Sequence, residues 1–510
     1  MFIFIHGGLN EYERSIGKSV RDIGHIENFK PDLFTDEAPE WTRRLEDMER
    51  YHSLFISWPS GGPDTYFDRI YRYDQGAYDN DFNSLTGFLD IFSDLATSVT
   101  GAPRAYINSG ARYDDAETNV RERAEGKADP FDEICKTAND ANFLCGRDIE
   151  QDLTFGSTAL FQATLPARML TVPVLEPVGL QAWNSMLART RFTFRRPHSL
   201  FQSEKIDDFL RYNKGERIRR KTEALGSKTN DSQPQNDINH GILYRFFSML
   251  QNKMCGTKTR NAQLTSSASC AETTGVKPPR ITIVGHSMGA IVTNEILFHF
   301  PYLPYHNIVF MAAANSIRDF RLMWEPLLRH RVTCETNPQD CLPALRRLDL
   351  SAPVDHLRFY NLTLHPIADE TETNLYRAAP RGSLLEWIDD LFTTPPVFAD
   401  RTMGKWKNVV LAYDDFDPAT LKRTRFKRFG LSCASPREHG GFRQHFPPAE
   451  KDKPPTLSPQ LRIDESLKNR SPDETRVCNY TKRDGSLAWA RAWQYWDPRY
   501  WALDNVAPGK

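Results

Sequence analysis

No stretch of the 510 residues stays apolar for the length of a bilayer-crossing helix, so no transmembrane span is expected. Neither sign of charge is in excess: 65 basic residues face 66 acidic ones, for a net charge of −1. Without a basic field, nothing points to nucleic acid or to an anionic membrane surface as a partner. No C-x-x-C pair is present, which argues against a zinc site. No G-x-G-x-x-G follows an apolar run, which argues against a dinucleotide-dependent oxidoreductase. Met1 leads straight into apolar sequence without a signal peptide, so the chain reads as cytoplasmic unless a targeting segment lies upstream.

Cysteine is sparse, and its placement argues the other way on compartment. The eight cysteines fall as neighbours in polar sequence: Cys135 with Cys145, Cys255 with Cys270, Cys334 with Cys341, and Cys433 with Cys478. An even count in local pairs predicts disulfides and an oxidising compartment, secreted or periplasmic; eight reduced thiols are the plain alternative.

What is present centres on residues 280–300. Ile281-Thr282-Ile283-Val284 is a short β-branched run between Pro279 and Gly285, the composition of a buried parallel strand. Gly285-His286-Ser287-Met288-Gly289 follows, and then Ala290, Ile291, Ile296 and Leu297 at helical spacing. Strand, G-x-S-x-G, helix is the context in which that motif presents a nucleophilic serine on a sharp turn. Gly285 and Gly289 are expected to be glycine because the turn leaves no room for larger side chains. Ser287 is expected in strained backbone geometry, with the following helix pointing its free N–H groups at developing negative charge. A second run, Phe2-Ile3-Phe4-Ile5, ends in His6-Gly7-Gly8-Leu9, where glycine lets backbone N–H groups approach an oxyanion.

These two motifs, in this order, resemble the α/β-hydrolase superfamily, in particular its lipase and esterase branches. The resemblance covers about half of the chain and implies an α/β fold, a mostly parallel sheet flanked by helices. In that family the His-Gly-Gly loop follows the third strand and the serine turn the fifth. With His6 so near the start, the first strands are expected to be reduced or missing. Residues 52–59, 307–314, 356–364 and 406–413 read as further strands, the last of them as the final strand of the core. More than 200 residues separate the strand at 52–59 from the serine turn, far beyond one crossover. Residues 63–279 therefore read as a large inserted, mainly helical cap, with 1–62 and 280–510 as the core. Within the cap, residues 160–187 are apolar and cut by Pro166, Pro173 and Pro177. Phe161, Met169, Leu170, Leu175, Leu180 and Trp183 would suit a lid over an acyl cleft or simply pack the cap down. In the tail, Trp489, Trp493 and Trp496 fall at helical spacing, and together with Trp501 they would dock it on the body.

The family's chain order is nucleophile, acid, base. Among downstream histidines, His439 in Glu438-His439-Gly440-Gly441-Phe442 resembles the family's histidine loop better than His445 does. Asp369 occupies the place of the triad acid, past the strand two after the serine turn; Glu370, Asp414, Asp415 and Asp417 are alternatives. The resemblance thus implies Ser287, His439 and Asp369 as the catalytic set. The N–H of Met288 and one from Gly7, Gly8 or Leu9 would form the oxyanion hole. His6 and His286 read as neighbours of the site, and His365 as shaping the acid loop. The activity implied is hydrolysis of carboxylic esters, lipid-like acyl esters included, with no metal or organic cofactor. The substrate would be a small-molecule or lipid ester, with peripheral membrane contact through the cap left open. An inactive binding protein, or an amidase or peptidase on the same scaffold, would carry the same motifs.

Overall fold

In a computed structural model, residues 1–7, 53–57, 142–146, 179–191, 193–194, 241–255, 280–301, 303–328, 357–372, 382–393, 395–431, 435–443, 477–481 and 487–491 are described. Isolated residues and pairs join them, among them 73–74, 77–78, 134–135, 495 and 500–501. The strands are β1 (Phe2–Ile5), β2 (Ser53–Ile56), β3 (Tyr73–Asp74), β4 (Ala77–Tyr78), β5 (Phe143–Cys145), β6 (Ile281–His286), β7 (Tyr305–Met311), β8 (Arg358–Thr363), β9 (Thr424–Arg428), β10 (Val477–Thr481) and β11 (Leu487–Arg491). β3 with β4 and β10 with β11 form two small antiparallel pairs. The other seven strands make one all-parallel sheet in the order β2-β1-β6-β7-β8-β9-β5.

The chain moves outward from β1 to β2 on one side and, after adding β5 at the far edge, returns to β6 on the other side of β1. The strand order therefore reverses between β1 and β6, and the carboxyl ends of those two strands flank the crevice where open α/β sheets bind ligands. His6-Gly7 and Ser287 leave the sheet at that point.

The register puts Phe4, Val284, Val309, Tyr360 and Arg425 in one row across the sheet. Ile5, Gly285, Phe310, Asn361, Phe426 and Phe143 form the next row, on the opposite face. Trp324 and Phe320 of the helix that begins at Ile317 pack on that second face, against Phe310 and Phe359. The Trp324 indole donates to Asn294 of the helix after the serine, tying the two helices together. The interior is continuous, since Ile3, Ile5, Ile283, Val284, Ile308, Val309 and Phe359 are all fully buried.

Residues 406–413 are not the last strand of the core. Trp406–Ala412 is a helix, followed by a tight turn over Tyr413–Asp415. Its buried residues are Trp406, Asn408, Val409 and Ala412 while Leu411 faces solvent, a helical spacing that outweighs the β-branched pair Val409-Val410. The strand that follows β8 in the sheet is β9, TRFKR, which carries Lys427 and Arg428 buried inside.

Part of the interval 63–279 belongs to the main body. β5 is the edge strand beside β9, and Phe143 packs on Trp406, Tyr413 and Phe426. Residues 179–191 are helical, with Trp183 buried, and a Cβ on Gly179 would fall 2.1 Å from the Phe392 ring. Helix α1 (Ile242–Cys255) sets Tyr244 and Phe247 against Phe300. Most of the interval, including Phe161, Met169, Leu170 and Leu175, lies outside the described residues. Cys135 and Cys145 form a disulfide with their Cα atoms 5.7 Å apart, bracing the segment that leads into β5. In the other three cysteine pairs at least one side chain lies outside the described residues. Trp489 stands in β11, not in a helix. Among the described residues no helix is long and apolar enough to cross a membrane.

Candidate active site

The turn from β6 into helix α2 (Gly289–His299) is sharp, and its residues obey its sterics. Ser287 has a positive φ of 54°, which a side-chain-bearing residue adopts only under constraint. The constraint is visible: the Ser287 N–H donates to Met311 O at 2.9 Å, and its carbonyl accepts from Ala290 N and Ala314 N, each at 3.1 Å. A Cβ on Gly289 would sit 2.1 Å from the Ile5 carbonyl oxygen, and one on Gly285 would sit 2.7 Å from Thr293 Oγ1. Glycine at both positions lets α2 start against the end of β1. Gly7 is equally tight, since its Cβ would meet Ser287 Cβ and His286 Nδ1 at 2.9 Å. The first loop therefore lies directly on the serine. Among the described residues nothing accepts the Met288 N–H, which stands at the mouth of α2. Gly8 and Leu9 lie outside the described residues.

Ser287 Oγ and His439 Nε2 are 2.8 Å apart, both residues buried, from positions 152 apart in sequence. His439 opens a short 3-10 turn, His439–Arg443, and is gripped through its backbone on both sides. Its N–H donates to Glu372 Oε2 at 2.7 Å, and its carbonyl accepts from His286 Nε2 at 3.0 Å. Burial pushes the His439 imidazole down to about 4, so the ring is neutral at physiological pH. A neutral imidazole whose Nε2 faces a hydroxyl is in the state required to take that hydroxyl's proton. Its Nδ1 is buried and has no hydrogen-bond partner among the described residues.

The acid loop folds differently from the sequence reading. Helix α3 (Pro366–Thr371) begins with His365 as its cap, whose Nδ1 accepts from Ile367 N at 3.2 Å, and with Pro366 in its first turn. Asp369 lies inside this helix, away from any hydrogen bond to the His439 ring, and its Oδ1 has no hydrogen-bond partner among the described residues. Burial, with Glu386 and Glu372 adding negative charge, holds its carboxyl well above the usual range; Lys405 and the Ser383 hydroxyl pull less strongly the other way. A carboxyl whose charged form is disfavoured is poorly suited to stabilising an imidazolium. Glu372, the residue that ends α3, is the carboxylate on His439. It was not among the residues singled out from sequence. The signal that could have found it was His365-Pro366, a helix start, which turns Asp369 inward and brings the end of the helix to the histidine.

The remaining candidates have other partners or positions. Glu370 pairs with Lys407. Asp414 and Asp415 are exposed. Asp417 caps the helix Pro418–Leu421, accepting from Thr420 N at 3.0 Å. His445 lies outside the described residues. His6 is buried and its Nδ1 contacts Gly7 O, within the first loop. Behind α3, Lys405 is buried against Glu386 at 2.7 Å and Asp389 at 3.5 Å. Burial alone would lower the Lys405 pKa, but Glu386, Asp389 and Asp369 outweigh it and hold the ammonium charged. Asp389 also accepts from Thr402 N at 2.8 Å and Asn408 Nδ2 at 2.9 Å, so the cluster clamps the start of the helix Trp406–Ala412 and the turn before it. Among the described residues no group of His, Cys, Asp and Glu is arranged to hold a metal ion.

Compared with known proteins, the chain matches no protein-family model, no curated protein and no solved structure.

Proposed function

We propose that the chain is a serine hydrolase of the α/β-hydrolase kind that cleaves carboxylic esters through an acyl-enzyme. The observation that carries this reading is the 2.8 Å contact between His439 Nε2 and Ser287 Oγ, with the serine on a strained turn at the switch point of a parallel sheet. Strand order supports it as well. The His-Gly loop follows β1, the serine turn follows β6, the acid loop follows β8 two strands later, and the histidine loop follows β9.

In the proposed reaction, His439 Nε2 takes the Ser287 proton as Oγ attacks the ester carbonyl carbon. The carbonyl π electrons move onto oxygen, where the Met288 N–H and an N–H of the Gly7–Leu9 loop hold the charge. As the intermediate collapses, the C–O bond to the alcohol breaks and His439 returns the proton to the leaving oxygen. Water, deprotonated by the same imidazole, then attacks the acyl-Ser287 ester, releasing the carboxylic acid and restoring the hydroxyl. Glu372, in place of Asp369, is the proposed orienting carboxylate. It already holds the His439 backbone N–H at 2.7 Å and so fixes the turn from which the imidazole reaches Ser287.

Turnover of p-nitrophenyl esters of increasing acyl length, by wild type and Ser287→Ala, tests the reading. Hydrolysis by wild type that Ser287→Ala lacks supports an esterase, and the acyl-length profile assigns the substrate class. Cleavage of peptide or amide substrates alone would move the activity to an amidase. Turnover of none by a folded wild-type protein would sink catalysis in favour of a binding role.

A further inference from the structure

The sheet face bearing Phe2, Phe4, Tyr360 and Lys427 is met by the C-terminal segment. The Tyr495 ring lies 4.8 Å from Phe4 and 6.4 Å from Phe2, over β1. The Trp501 ring lies 4.8 Å from Tyr360, on β8. β6 and β7 lie between those strands, so Tyr495 and Trp501 sit on one face of the sheet with two strands between them. Tyr500 makes the contacts that reach the proposed active site. Its ring lies 5.0 Å from Phe429, and its carbonyl accepts from Lys427 Nζ at 2.6 Å. Its hydroxyl donates to Phe442 O at 3.2 Å. Phe442 belongs to the same 3-10 turn as His439, and its ring is 6.1 Å from His286 and 5.6 Å from Phe429.

We propose that Tyr495, Tyr500 and Trp501 act as a strap that holds the His439 turn in place over the sheet, with Tyr500 as its positioning residue. The catalytic consequence rests on the hydrolase reading above; the hold itself does not. Lys427 explains why the strap stays seated. It is 1% exposed, and a buried ammonium without a partner is costly. The Tyr500 carbonyl and the face of the Phe429 ring, 5.0 Å away, are two of its partners. The same residue that satisfies Lys427 through its carbonyl thus fixes the histidine turn through its hydroxyl. Burial raises the Tyr500 phenol well above its ordinary pKa, so it remains a donor throughout the working pH range.

The test is hydrogen–deuterium exchange of the full chain, read on peptides covering 436–443, in wild type, Tyr500→Phe and Lys427→Met. Tyr500→Phe keeps the ring and removes one buried hydrogen bond, so exchange across the His439 turn should quicken about fivefold. Lys427→Met, which frees the Tyr500 carbonyl, should act in the same direction. Steady-state kinetics on p-nitrophenyl butyrate adds the second readout. For Tyr500→Phe, kcat should fall by a similar factor with KM nearly unchanged, and the acid limb of the pH profile should move upward as water reaches the imidazole. Exchange unchanged in both variants would overturn the strap, whether or not the protein hydrolyses esters. Faster exchange with unaltered kcat and acid limb would overturn the positioning role. A wild type without activity would count against the hydrolase reading alone, because the exchange data still decide whether the strap holds.

Discussion

Replacing Glu372 by Gln separates the two candidate acids and has a magnitude that follows from the site. Burial lowers His439 from 6.5 to about 4, which amounts to about 3 kcal/mol against forming the imidazolium that the reaction needs. That cost leaves little margin for a misplaced ring, and the only carboxylate hydrogen-bonded to His439 among the described residues is Glu372, which holds its backbone N–H. A hydrogen bond to a charged group contributes about 1.5–3 kcal/mol, here to the placement of the histidine turn rather than to the imidazolium itself. Glutamine keeps the shape but not the charge, so kcat on p-nitrophenyl butyrate should fall about 10- to 100-fold, with KM little changed. Asp369→Asn is the companion variant. Because the surroundings of Asp369 disfavour its charged form and it makes no hydrogen bond to the His439 ring, an amide there should leave kcat close to wild type. Circular dichroism on both variants checks that the fold persists. The reasoning fails if Asp369→Asn loses the activity and Glu372→Gln keeps it.

Four further outcomes follow from the same geometry. The acid limb of kcat/KM should have its midpoint near 4, since that limb reports the free enzyme's imidazole; a midpoint near the ordinary histidine value would contradict the burial argument. Stability should move in the same window. The folded state binds the His439 proton less readily than the unfolded chain does, so this contribution is full above 6.5 and is lost as pH falls towards 4, which urea titrations across that range would measure. Gly289→Ala would force its Cβ to 2.1 Å from the Ile5 carbonyl, so urea denaturation should show a loss of about 2 kcal/mol, together with a fall in activity. Gly440→Ala, whose Cβ would meet nothing within 4 Å, should behave as wild type although it adjoins His439.

The parts of the fold that could be read in advance are those with one-sided physics. Strands buried on both faces are mainly apolar, as Phe2–Ile5 and the runs 283–284 and 308–311 inside β6 and β7 are. The serine turn was legible because only glycine fits at Gly285 and Gly289. β9 was not, because Lys427 sits inside it, and nothing local reveals that a carbonyl 73 residues away will satisfy the ammonium. The helix at Trp406–Ala412 was misread as that missing strand because Val409 and Val410 favour β structure, while its spacing of buried residues is helical. Glu372 escaped because its role depends on where α3 stops rather than on residue type. β5 escaped because three residues inside a long polar insertion carry too little pattern to mark a strand.

The most direct measurement is mass spectrometry of the intact protein and its peptides after treatment with a fluorophosphonate. The account predicts one phosphonyl adduct, on the peptide bearing Ser287, absent in Ser287→Ala and formed far more slowly in His439→Ala. A folded wild-type protein that takes up no label, or takes it up at another residue, would contradict it.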